Sequence, residues 1–63
     1  MKLEIHFKDE THTIVENVTA FWQSDKYLHV RKNFGNCPEE RGYARKNIIA
    51  IFEVEEDGKR RII

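Results

Sequence analysis

Cysteine occurs once in this sequence, at Cys37, so no internal disulfide can form. A lone thiol suits a reducing compartment. Proline also occurs once and glycine only three times, too sparsely for a disordered or low-complexity chain. No apolar run approaches the length of a bilayer span. Met1-Lys2 leads directly into alternating charge rather than an apolar signal segment. A cytoplasmic location without membrane contact is therefore expected. Net charge is missing too, since 11 Lys and Arg offset 11 Asp and Glu. The molecule as a whole exerts no long-range pull on nucleic acid or an anionic surface.

What remains is a chain of 63 residues, enough for one domain spanning 1–63. A core in a chain below about 70–80 residues rarely supplies more than about 3–5 kcal/mol. With no disulfide available, self-association is the expected source of extra stability, and a homo-oligomer is anticipated. Charge is uneven along the chain. In residues 1–25, Lys2 and Lys8 stand against Glu4, Asp9, Glu10, Glu16 and Asp25, a balance of −3. In residues 26–46, Lys26, Arg31, Lys32, Arg41, Arg45 and Lys46 stand against Glu39 and Glu40, a balance of +4.

The apolar residues recur with the period of a strand. Leu3, Ile5 and Phe7 alternate with Lys2, Glu4, His6 and Lys8, giving one buried and one wet face. Asp9-Glu10 reads as a tight turn, and Thr11–Val15, rich in β-branched residues, as the returning strand. Gln23–Lys26 is a polar turn, after which Leu28 and Val30 alternate with Tyr27, His29 and Arg31. Phe34–Gly42 holds the only proline and two of the three glycines, and reads as a long, mobile loop tolerant of change. Tyr43–Arg45 is short and extended. Asn47–Val54 is the most apolar stretch; Ile48–Phe52 is too short for an uncapped helix, and strand is preferred. Asp57-Gly58 marks a hairpin that returns Lys59–Ile63 onto Ile51–Glu55.

The expected fold is therefore all-β: about five antiparallel strands in a small open barrel or a strongly twisted sheet. Its expected core is Leu3, Ile5, Phe7, Val15, Val18, Phe21, Leu28, Val30, Ile48, Ile51, Phe52 and Val54. One internal similarity accompanies it. Asn17–Trp22 and Asn47–Phe52 share the order Asn, β-branched, β-branched, Ala, apolar, aromatic. Asparagine suits a turn or bulge at such a point because it tolerates left-handed backbone. The pattern suggests two similar β-turn-β-turn-β units packed together.

The stretches Ile5–Asp9, Glu16–Phe21, Leu28–Val30 and Asn47–Val54 appear in the order Ile-x-Phe-Lys-Asp, Glu-Asn-Val-x-x-Phe, Leu-x-Val and Asn-Ile-x-x-Ile-x-x-Val. In that order the chain resembles the small β-rich proteins of unknown function encoded by phages and prophages of Gram-positive bacteria. It departs from them in lacking a glycine at the first turn, and in its Phe34–Gly42 and Lys59–Ile63 segments. The resemblance implies a fold and a phage or bacterial origin, and no activity.

No catalytic constellation assembles along the chain, and a non-enzymatic role is expected. Cys37 precedes Pro38 and two glutamates, whose negative charge disfavours the reactive thiolate. His6, His12 and His29 lack the close ligand spacing that announces zinc, so no metal or cofactor is expected. Glu53, Glu55, Glu56 and Asp57 match no calcium loop and are expected to pair across a hairpin with Lys59, Arg60 and Arg61. Two binding readings remain. Tyr27, His29 and Arg31 share one strand face, and Trp22, Lys32, Arg45 and Lys46 lie nearby in sequence. Aromatics interleaved with cations can stack bases and neutralise phosphates, but a dedicated nucleic-acid module is usually basic. A protein-interaction or structural module is therefore preferred, with single-stranded nucleic-acid binding as the alternative on the same residues.

Overall fold

The computed structural model describes residues 1–63. Every segment of alternating or β-branched sequence is a strand: β1 (Lys2–Phe7), β2 (His12–Val15), β3 (Val18–Gln23), β4 (Tyr27–Phe34), β5 (Cys37–Ala44), β6 (Ile48–Glu55) and β7 (Gly58–Arg61). A three-residue 3-10 turn, Arg45–Asn47, is the sole helical element. No helix is long and apolar enough to cross a membrane.

The strands form two antiparallel sheets, one in the order β2-β1-β6-β7 and the other β3-β4-β5. This keeps the all-β class and corrects the finer expectation, for there are seven strands rather than about five, and neither sheet closes into a barrel. Phe34–Gly42 accounts for much of the difference. It is not a loop: β4 runs to Phe34 and β5 begins at Cys37, joined by Gly35-Asn36. Gly35 takes φ +61, the left-handed first position of a two-residue hairpin turn that glycine fills without strain. Pro38 is tolerated because β5 is an edge strand. Phe34 and Cys37 flank the turn as a bonded pair, so alternation points the amide position of Pro38 to the free side.

The inward faces of the two sheets meet in one cluster of Leu3, Ile5, Val15, Val18, Leu28, Val30 and Ile51, all buried. Phe7, Phe21, Tyr43, Ile48 and Ile62 pack around it half-buried. Burying an aliphatic side chain of this size contributes about 1.5–3 kcal/mol. Phe52 and Val54, expected in the core, instead fall half-buried on the outer face of the four-stranded sheet. A bulge is the reason. Phe7 pairs with Ile48 and His6 with Ala50, so Ile49 is skipped and left 54% exposed. Beyond the bulge Ile51 points inward and Phe52 outward.

The same device occurs in the other sheet, where the register slips between Val18 and Ala20. The two similar sequence stretches are thus equivalent in space. Val18 and Ile48 face in, Thr19 and Ile49 are bulged, Ala20 and Ala50 face out, Phe21 and Ile51 face in, and Trp22 and Phe52 face out. The match extends across their neighbours. Phe21 pairs with Val30 as Ile51 pairs with Ile5, and Leu28 pairs with Tyr43 as Leu3 pairs with Val15. The triplet β3-β4-β5 therefore corresponds to β6-β1-β2, with β7 added at the outer side of β6.

Candidate functional site

Inward orientation of Leu28 and Val30 forces Tyr27, His29 and Arg31 of β4 to the outer face of the three-stranded sheet. On β3, Trp22 lies directly opposite His29. Their rings stack with centroids 5.3 Å apart and planes 8° from parallel. The Arg31 guanidinium carbon sits 5.4 Å from the centre of the indole. This is a cation–π contact that Arg31 makes although Glu40 stands opposite it in the register. Tyr27 meets His29 edge-on at 6.2 Å. Ser24 Oγ lies 2.9 Å from His29 Nε2 and fixes the imidazole at the base of the group.

On β5 the residue opposite His29 is Gly42. Its backbone is not left-handed, and a Cβ placed there would touch only Tyr27 Cδ1, at 4.0 Å. The glycine is required by neither turn nor core; its effect is to leave open space beside the imidazole and the phenol. Tyr27, 49% exposed, borders that space, Trp22, 39% exposed, lies on the far side of His29, and both present ring surface to solvent.

Four of the seven residues expected to bind, Trp22, Tyr27, His29 and Arg31, thus converge. The other three do not. Lys32 belongs to the inward set of β4, opposite buried Val18. Arg45 and Lys46 lie in the 3-10 turn beyond β5, on the rim of a shallow depression of about 380 Å³ between the sheets. The Arg45 guanidinium donates to the carbonyls of Ser24 and Asp25 at 2.8 and 3.2 Å, and so clamps the β3–β4 turn. Gly42 and Ser24 complete the face and went unnoticed in the sequence. Only the pairing of β4 with β5, hidden by the apparent loop, would have found Gly42.

A second row crosses the outer face of the four-stranded sheet. His12 stacks on His6 at 5.4 Å, His6 meets the edge of Phe52 at 5.3 Å, and the Arg61 guanidinium carbon lies 6.0 Å from the Phe52 ring centre. Beneath them Glu4, expected to be solvated, is buried. Lys59 Nζ lies 2.7 Å from one carboxylate oxygen of Glu4 and His6 Nε2 lies 3.1 Å from the other. The hydrogen bond from Lys59, aided by His6, holds the Glu4 carboxyl below the usual glutamate range against the opposing effect of burial. Of the expected hairpin pairs, Glu53 takes Arg60, which raises the guanidinium further above its ordinary value. Lys59 turns to Glu4 instead. On β5, Tyr43 and then Glu39 raise Arg41 in the same sense. Cys37 is free and exposed at the start of β5.

Comparison with known proteins brings no match: no family model, no curated protein and no solved structure is similar to this chain.

Proposed function

We propose that this protein is a non-enzymatic binding module that takes a protein partner on the outer face of β3-β4-β5. The observation that carries this reading is the co-facial set of Trp22, Tyr27, His29 and Arg31, with the gap at Gly42 beside His29 and Tyr27. Tryptophan, tyrosine and arginine are the residues that dominate protein–protein hot spots. The charge on this face favours a protein over nucleic acid. Lys32 points inward and Arg45 is spent on backbone carbonyls, leaving Arg31 opposite Glu40 beside the rings. A phosphate backbone is held through several Lys and Arg contacts, each releasing counterions.

The test uses two arms. Affinity capture from the native host compares the wild-type chain with Trp22→Ala and with Gly42→Val, a substitution that fills the gap. A protein retained by the wild type and lost with both variants supports the reading. Fluorescence anisotropy with short single-stranded DNA and RNA at two salt concentrations is the second arm. Binding that falls steeply with salt and weakens with Arg31→Ala would replace the protein partner with nucleic acid.

A further inference from the structure

The row on the four-stranded sheet lies on the other side of the molecule's fold and has no part in the reading above. We propose that His6 and His12 bind a late first-row divalent cation, Zn²⁺, Ni²⁺ or Cu²⁺, as a two-imidazole chelate across the β1–β2 hairpin.

The hairpin register brings the two side chains together. The Phe7 amide donates to the Thr11 carbonyl at 2.9 Å, which makes Phe7 and Thr11 a bonded pair. The next pair along, His6 and His12, is then of the non-bonded kind, in which opposing side chains approach most closely. Their rings already lie 5.4 Å apart and 21° from parallel. On the far side of His6, Phe52 closes in edge-on at 5.3 Å and limits how far the imidazole can turn away.

The polar surroundings prepare His6 as a ligand. Glu4 Oε1 lies 3.1 Å from Nε2, and Glu4 Oε2 is engaged 2.7 Å from Lys59 Nζ. A carboxylate in an ion pair only accepts, so Nε2 donates to it, and the lone pair of the neutral imidazole lies on Nδ1. Carboxylate, imidazole and open nitrogen in this order form the outer-shell arrangement found behind metal-bound histidines. His12 is exposed and free to rotate toward the same point. Imidazole donors suit Zn²⁺, Ni²⁺ and Cu²⁺ among the common divalent ions. No group of three or more His, Cys, Asp and Glu is placed to hold an ion together, so the two imidazoles would be its only protein ligands, with water at the remaining positions. The sequence did not signal this pair, because ligands six positions apart become neighbours only once the hairpin folds.

Such a chelate staples β2, a four-residue edge strand paired only to β1. Titrating the whole chain with NiCl₂ and ZnCl₂ tests it by nuclear magnetic resonance and thermal unfolding. Ni²⁺ should broaden the resonances of His6 and His12 first, and Zn²⁺ should raise the Tm. His12→Ala, at an exposed position that leaves the core intact, should weaken binding at least about tenfold and abolish the Tm rise. Glu4→Gln should weaken binding by about 10–100-fold, as the loss of an outer-shell partner does. His29→Ala, on the opposite face, should leave the metal affinity unchanged. Equal affinity in wild type and His12→Ala, or broadening centred on His29 or Cys37, would overturn the proposal.

Discussion

Asn17 and Asn47 stand at the two points where the chain passes from one sheet to the other, and each offers its backbone carbonyl to the strand end beside it. Asn17 accepts from the Asn33 amide at 3.0 Å, and Asn47 from the Lys8 amide at 2.8 Å. The two differ in backbone, since only Asn17 is left-handed, at φ 58. Replacing Asn17 with Ala should therefore cost about 0.5–1 kcal/mol, the part of the left-handed penalty that the short polar side chain of asparagine relieves. Asn47→Ala should cost clearly less. Urea unfolding of the two variants decides it, and equal losses would contradict the assignment.

Glu10 occupies the position of the β1–β2 turn where glycine or asparagine is usual, with φ 71. Its strain is local, because the side chain is exposed. Glu10→Asn should raise stability by about 0.5–1 kcal/mol, since asparagine tolerates this backbone better. A lower Tm for the variant would show that Glu10 has a compensating role.

Acid sensitivity should trace in part to the same turn. The Thr11 hydroxyl, 2.5 Å from Asp9 Oδ1, and the Thr11 amide hold the Asp9 carboxyl below its usual value. A folded-state pKa below the unfolded one means the contribution is whole above the unfolded value, about 3.9. It then fades as pH falls through that value and is gone below the folded one. Thr11→Val removes the hydroxyl, so stability should depend less steeply on pH in this acid range. An unchanged pH profile would dismiss the contribution.

Self-association is expected at micromolar concentration. Only nine of 63 residues are buried, while Ile14 and Ile49 on the four-stranded sheet stay 50% and 54% exposed. At the chain end Ile62 packs on the core and its amide donates to the Ile51 carbonyl, while Ile63 stays 43% exposed. Sedimentation equilibrium should return a mass above 7.6 kDa. A monomer that remains folded at high temperature would set this aside.

Where one strand face is apolar and the other polar, local chemistry was enough to read the fold. Leu3-x-Ile5 and Leu28-x-Val30 alternate cleanly, and both pairs are buried side by side in the core. The hairpin that returns β7 onto β6 was legible too, although its turn residues are Glu56 and Asp57 and Gly58 already pairs with Glu55 as the first residue of the strand. The grouping of Tyr27, His29 and Arg31 came from alternation alone, and Trp22 joined them because β3 and β4 are consecutive in the chain.

Pairing between distant segments decided the rest. The bulges at Thr19 and Ile49 reverse the faces of the residues before and after them, which moved Phe52 and Val54 out of the expected core. Cys37–Ala44 carries proline, glycine and three charged residues, and becomes a strand because β4 supplies bonds along its whole length while its other edge faces water. Glu4 reads as a solvated residue from its place in β1, and is buried because Lys59 and Phe52 arrive on β7 and β6 to cover it. In each case the property belongs to a neighbour across the sheet. Strand pairing sets those neighbours through hydrogen bonds and packing between residues far apart in the chain, which no local periodicity encodes.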